Sequence, residues 1–330
     1  MAGRFAPRPR TTTPTTPTTG DGSATTPKTR VHDPGHPLDL GLVLGPLRRG
    51  PADPTFRTGP DGSAVRASRT PAGPGTLRVR ADHDGVRADA WGPGADWLLE
   101  RLPELLGAAD DPAAFVPRHR LLAASQRRRP GLRLCRTGLV LESLIPSVLE
   151  QKVTTIEANR SWRHLVRKYG EPAPGPYGSG DNRMYVMPDP RTWAMIPSWE
   201  WHKAGVDSKR SDTVARAVRV ARRLEEATTM EPEQAAARLE LIPGIGPWTS
   251  AEVLQRSNGA PDAVTVGDLH LPGIVGYALA GRPDTDDAGM LELLEPYAGQ
   301  RHRAVRLILL TGRTPPRRAP RMPVGRIAHL

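Results

Sequence analysis

The stretch 241–252, LIPGIGPWTSAE, sets two glycines around one isoleucine and follows them with a proline and a tryptophan. Glycines there admit positive φ and carry no Cβ to hold another molecule's backbone away. Pro247 suits the first position of a helix, where its missing donor costs nothing. Such a turn leaves N–H groups exposed at a helix N-terminus, a setting that attracts a phosphate oxygen. Thr249, in the first turn, offers a further donor. The same spelling also serves as a plain helix–helix connection, and the turn alone does not choose between the two. Twenty residues past Trp248, the stretch AVTVGDLHLP ends a short apolar run in Gly267 and Asp268 before a new helical pattern begins. Asp268 is placed to cap that helix. A cap also fixes a carboxylate in one rotamer, where it can stabilise positive charge developing on a substrate. His270, two residues on, reads as an ordinary helix-start histidine.

These residues need a helical frame. From about 131 the chain carries apolar residues at helical spacing in LVLESLIPSVLEQKVTTIEANRSWRHLVRKYG (139–170). Beyond an irregular Gly/Pro-rich insert (171–190) come PRTWAMI, SDTVARAVRVARRLEEA and EPEQAAARLELI, then the turn, then MLELLEPYAG and HRAVRLILLTG. Short helices with brief loops predict an orthogonal bundle rather than a four-helix rod. Residues 38–130 have another texture. After the apolar LDLGLVLGPL, the stretches SAVRAS, TLRVRAD (76–82) and GVRADAW (85–91) alternate with a period of two, as half-buried strands do. ADWLLERLPELLGA (95–108) puts Trp97, Leu98, Leu102, Leu105 and Leu106 on one helical face, with Pro103 a kink. The expectation is an α+β domain at 38–130, with a small antiparallel sheet, followed by an all-α bundle at 131–313. The Thr/Pro-rich residues 1–37 and the basic residues 314–330 lack the apolar groups that offset the entropy of ordering, and are expected to be disordered.

Charge narrows the partner class only a little. The formal net charge is +11. Arg4, Arg8, Arg10, Lys28 and Arg30 against Asp21 give residues 1–32 a net of +4, and five arginines give residues 313–330 a net of +5, so the middle keeps +2. Basic tails hold nucleic acid loosely or are merely solvated; bulk charge does not decide. The single cysteine, Cys135, excludes an intramolecular disulfide, a four-cysteine cluster and a multi-cysteine zinc site. There is no run of about 18 apolar residues and no apolar leader. The 330 residues are long enough for two domains with their own cores. Together these features predict a monomer of the cytoplasm without membrane contact; association with the nucleoid is expected only if the chain acts on DNA.

LIPGIGPWTSAEVL followed by PDAVTVGDLHL resembles the helix-hairpin-helix (HhH-GPD) superfamily of DNA glycosylases, and within it the bacterial 3-methyladenine DNA glycosylase II branch. The resemblance runs from about Glu240 to Leu271, takes in LIPSVLEQKVTTIEANR upstream, and extends to an α+β unit of similar order and size, so it covers most of 38–312. It implies that the hairpin grips the DNA backbone through amides of Gly244, Gly246 and Thr249. It also implies a metal ion bridging phosphate and the carbonyls of Glu240, Ile242 and Ile245, with no cofactor needed for the chemistry. Asp268 matches the catalytic aspartate, which stabilises the oxocarbenium-like sugar as water attacks C1′. The damaged base must leave the duplex first.

Relatives that also cut the strand carry a Schiff-base lysine where this chain has Trp248. The resemblance therefore implies release of the base without strand cleavage. Trp248 is expected either to stack on an extruded cationic alkylpurine or to pack the hairpin. Gln151 and Lys152 match the loop that fills the gap left by the flipped nucleotide, although Lys152 also reads as an ordinary solvated lysine. Glu252 and Leu309 stand where a well-known relative has aromatics, and the extra carboxylate could select cations by charge. The expected function is a base-excision-repair DNA glycosylase hydrolysing alkylated purines from double-stranded DNA. The alternatives are a non-catalytic hairpin protein that binds damaged or bent duplex, and a glycosylase for oxidised or bulky purines.

Overall fold

The structure is a computed structural model and describes residues 26–83, 85–180 and 183–316. Five strands form one antiparallel sheet: β1 (Lys28–His32), β2 (Phe56–Thr58), β3 (Ala64–Thr70), β4 (Gly73–Asp82) and β5 (Gly85–Trp91), in the order β1-β5-β4-β3-β2. The three alternating stretches of the sequence become β3, β4 and β5, joined as hairpins by tight turns. Their alternation buries Val65, Leu77, Val79, Val86 and Ala88. Helix α1 (Leu40–Leu44) precedes β2, while α2 (Ala95–Glu100) and α3 (Leu102–Leu105) cover one face. The expected kink falls at Arg101, which separates α2 from α3, with Pro103 in the first turn of α3. Leu98, Leu102, Leu105 and Leu106 are buried there and Trp97 is partly buried.

The first correction concerns residues 28–37. Lys28–His32, expected to be disordered, form β1 and pair with β5 in the register Lys28↔Ala90 to His32↔Val86. A polar pentapeptide has no reason to order by itself; here the ladder of a long neighbouring strand orders it. The rest of the tail expectations, residues 1–25 and 317–330, lie outside the described residues.

The helical part begins with α4 (Arg120–Arg127), α5 (Val140–Leu149) and α6 (Thr155–Tyr169). The sequence TTIE starts α6 with a reciprocal cap: the Thr154 hydroxyl accepts the Glu157 amide, and Glu157 accepts the Thr154 amide. Next come β6 (Glu171–Pro172) and β7 (Tyr185–Val186), then α7 (Pro190–Met195), α8 (Ser198–Lys203), α9 (Ser208–Arg219), α10 (Ala221–Glu225) and α11 (Pro232–Glu240). Helices α12 (Pro247–Ser257), α13 (Leu271–Ala280), α14 (Asp287–Leu294) and α15 (Arg301–Leu309) complete the described chain. Apolar faces of α5, α6, α9, α11 and α12 share one core, with Trp162, Trp193 and Trp201 stacked at centroid distances of 6.4 and 5.7 Å. Each fully buried Leu or Ile in it contributes about 1.5–3 kcal/mol.

Packing does not divide at residue 130. Leu122 of α4, with Phe115 and Leu132, shares a core with α13, α14 and α15, and Ser125 donates its hydroxyl to the Leu307 carbonyl at 2.8 Å. The insert 171–190, read as irregular, forms a separate two-stranded sheet of β6 and β7 that packs on the larger one, with Met184 and Val186 against Val65 and Ala67. Buried ion pairs join the parts: Arg66 and the Arg69 amide hold Glu142 of α5, and Arg303 of α15 holds Asp110. Burial pushes the Glu142 carboxyl up, and Arg66 pulls it back. No helix among the described residues is long and apolar enough to cross a membrane.

Candidate active site

Helices α11 and α12 form the hairpin, and its two glycines are not equivalent. Gly244 has φ +100°, and a Cβ there would stand 2.1 Å from Thr213 Oγ1, so the fold itself demands glycine. Gly246 has φ −119° and caps α12; a Cβ there would meet nothing within 4 Å. Its bareness serves nothing inside the chain. Around it, the first turn of α12 presents the amides of Trp248 and Thr249, which have no acceptor within their own helix. Thr249 differs from expectation. Its side chain is buried, and its hydroxyl accepts the Gln151 amide group at 2.8 Å, so only its backbone N–H remains for an external anion.

Gln151 also donates to the Gly244 carbonyl at 2.9 Å. It is thus a brace between the α5–α6 loop and the hairpin, and both its donors are committed. Lys152 is the exposed residue of that loop, with φ +56°, a conformation uncommon outside glycine. Among the described residues it forms no ion pair. Of the carbonyls expected to meet a metal, that of Ile242 accepts the Ile245 amide at 2.9 Å. Those of Glu240, at the end of α11, and Ile245 receive no backbone donor among the described residues. The Glu240 carboxylate accepts the Ser250 hydroxyl at 2.6 Å.

Beyond α12 the chain brings Asp268 back beside the hairpin. Its Oδ1 accepts the amides of His270 and Leu271 at 2.8 and 2.9 Å, tying the loop to the start of α13. Its Oδ2 accepts the Trp248 indole N–H at 3.1 Å. Three donors therefore hold one carboxylate, and Trp248 is the direct link between hairpin and aspartate. Among the described residues, Leu269 and Leu241 are the most exposed large apolar side chains, 82% and 75% exposed, and they flank Asp268 and the turn.

Asp268 lines a cavity of about 250 Å³ between α12, α13, α15 and the segments around Val43 and Cys135. Glu252 and Leu309 line it too, while Trp248 does not. Of the two roles expected for Trp248, the indole N–H is engaged with the Asp268 carboxylate at the edge of the cavity. The expectation that Glu252 selects cations is corrected. Its carboxylate lies 2.7 Å from Arg256, one turn on, with both side chains half-buried. Burial lowers the Arg256 pKa, yet Glu252 and Glu150 hold it above the ordinary value. Glu252 is a partner of Arg256, not a free charge.

Among the residues of this cavity that sequence reading missed are Arg133, Cys135, His302 and Arg306. Burial, then the neighbouring Arg306, Arg256 and Arg303, drives the His302 pKa well below its usual value, so the ring is neutral. Burial pushes the Cys135 thiol up, which removes it as a thiolate nucleophile. Arg306 gives one guanidinium N–H to the Leu42 carbonyl at 2.9 Å. The available signal was the spacing of His302, Arg306 and Leu309 on one face of α15; nothing local says which face meets a cavity.

No family model matches the chain. Two curated relatives from strains of Mycobacterium tuberculosis, each described as "Probable bifunctional transcriptional activator/DNA repair enzyme AlkA", are 30% identical over 176 residues, 52% of this chain and 32% of theirs. The chain thus spans about a third of the length of the curated relatives it matches. Among solved structures, a 3-methyladenine DNA-glycosylase from Archaeoglobus fulgidus superposes with a TM-score of 0.68 at 14% identity, covering 86% of this chain and 97% of that one. The Clostridium acetobutylicum 8-oxoguanine glycosylase/lyase bound to double-stranded DNA gives 0.65 at 12% identity, covering 84% and 92%. The chain has the fold of the helix-hairpin-helix DNA glycosylases and, in sequence, resembles the 3-methyladenine DNA glycosylase II branch of that superfamily.

Proposed function

We propose that this protein is a monofunctional DNA glycosylase of base excision repair, which extracts damaged purines, alkylated ones among them, from double-stranded DNA and releases them by hydrolysis. The observation that carries this reading is the Asp268 carboxylate, fixed by three donors at a cavity and beside a helix N-terminus with no Cβ in its way. A phosphate held by the amides around Gly246 brings the neighbouring sugar to Asp268. Extraction of the base costs a few kcal/mol, least for a damaged or mismatched one, and the exposed Leu269 and Leu241 are apolar groups suited to entering the opened stack. As the C1′–N9 bond breaks, the bond pair leaves with the base and Asp268 faces the positive sugar. Water then adds to C1′, and its proton passes to Asp268 or solvent.

Among the described residues no lysine lines the cavity, and Trp248 occupies the lysine position of strand-cutting relatives, which supports a product that is an abasic site in an intact strand. The hairpin carbonyls of Glu240, Ile242 and Ile245 are hard oxygen donors of the kind that hold alkaline-earth cations. In the same reading they would seat an ion that screens the bound phosphate, while the step at C1′ uses only Asp268 and water.

Incubation with duplexes carrying single damaged purines, followed by hot alkali, should give breaks at the lesion. Asp268→Asn should slow release by about 10²–10³-fold or more with duplex binding retained. Equal rates for the two proteins would sink the mechanism. Breaks without alkali, or a borohydride-trapped adduct, would show a lyase instead.

A further inference from the structure

The polar groups of the cavity do not suit a positively charged base. Among the described residues no Phe, Tyr or Trp lines it, so they offer no aromatic face for a cation. Its two carboxylates are both committed. Glu252 is paired with Arg256 at 2.7 Å, and Asp268 is held at the sugar end by Trp248 and two amides. What remains is cationic or neutral. Arg306 lies on the cavity wall with one N–H bonded to a carbonyl and, among the described residues, no carboxylate within ion-pair distance. Arg133, 9% exposed, lines the cavity as well.

His302 adds a neutral ring to the same wall. It is 6% exposed and lines the cavity one helical turn before Arg306, and its buried Nδ1 has no hydrogen-bond partner. Along α15, His302, Arg306 and Leu309 recur at i, i+4 and i+7, so one face of the helix presents a neutral ring, a guanidinium and an apolar rim residue.

We infer that the cavity accepts electrically neutral purines carrying an O6 carbonyl and a free N7, such as hypoxanthine or an N2-alkylguanine, in preference to ring-alkylated cations. Arg306 is the recognising group and His302 its neighbour. The inference rests on the glycosylase reading above. A guanidinium matches the O6 and N7 acceptors with two parallel N–H bonds. Alkylation at N7 removes one of those acceptors and adds a charge that Arg306 repels.

The same placement supplies what a neutral leaving group needs. A ring-alkylated cation departs as a neutral molecule, whereas a neutral purine departs as an anion once the C1′–N9 pair moves onto the base. Arg306 stays protonated and its hydrogen bonds strengthen as that negative charge spreads to O6 and N7. Water then protonates the released base. Undamaged paired guanine shares the acceptors and is spared by the higher cost of extracting it.

The test is a single-turnover comparison of the full chain on three duplexes, carrying hypoxanthine, N2-ethylguanine or 7-methylguanine, with released bases resolved by chromatography. The expected result is faster release of the first two. Arg306→Gln should slow their release by about 10²-fold and leave 7-methylguanine release unchanged or raised. Arg306→Lys, which keeps the charge and loses the fork, should fall between. Preference of the parent protein for 7-methylguanine, or an equal loss on all three duplexes in Arg306→Gln, overturns the inference; the parent's preference is read without any variant. Absence of release from every duplex overturns the glycosylase reading itself, a different result from release of the cation alone.

Discussion

The hairpin and the cavity share α12 and differ in their chemistry. The hairpin is a contiguous stretch whose chemistry is backbone: a glycine the fold requires, a glycine it does not, and amides at a helix N-terminus. The cavity is assembled from α12, α13, α15 and two loops, and its chemistry is side-chain charge. The difference teaches where specificity resides. Backbone amides hold any phosphate and carry no sequence or lesion information, so under the proposed function discrimination between bases would fall to the cavity side chains, Arg306 first among them.

The sharpest way to test that division is to place a methyl group at each glycine. Gly244→Ala should lower stability by about 1–3 kcal/mol, visible as a fall in Tm, because its Cβ meets Thr213 and its φ is positive. Gly246→Ala should leave stability within about 0.5 kcal/mol while weakening binding to undamaged and damaged duplex alike. If Gly246→Ala binds duplex as tightly as the parent, the hairpin is only a connection and the comparison breaks.

Next in size is the bridge. Trp248→Phe keeps an aromatic body and loses the N–H that holds Asp268 Oδ2. Release should slow by about tenfold, the loss of roughly one hydrogen bond to a charged group, with duplex affinity unchanged. A fall in affinity with no change in single-turnover rate would mean that Trp248 shapes the hairpin instead.

The smallest effect lies outside both regions. Asp61, in the turn between β2 and β3, has its carboxyl pulled down to about 2 by the Ser63 hydroxyl and amide, with Arg78 adding to them against a small opposing effect of burial. A carboxyl depressed below its unfolded value contributes stability above the ordinary range near 4. That contribution is lost as pH falls through about 2. Asp61→Asn should flatten acid unfolding slightly over that window and leave base release at neutral pH untouched. A change in release would show that the sheet turn communicates with the cavity.

Local sequence determined the hairpin, the Asp268 loop, strands β3 to β5 and most helix positions, because each depends on periodicity, caps and turn chemistry within a few residues. The pairing of Glu252 with Arg256 was also legible, since carboxylate and guanidinium stand four residues apart on one helix. Reading Glu252 as a free charge overlooked that spacing. Strand β1 was not legible: Lys28–His32 order only because β5, some sixty residues later, offers a ladder to join. Nor was the membership of α4 in the core of α13 to α15, or the bond from the Trp248 indole to Asp268. Which face of α15 meets the cavity, and so whether His302 and Arg306 touch a substrate or only solvent, depended on the meeting of segments far apart in the chain. Hydrogen-bonded turns and caps are written in neighbouring residues; the charge inside a cavity is a sum over strangers in sequence, and only the tertiary structure performs it.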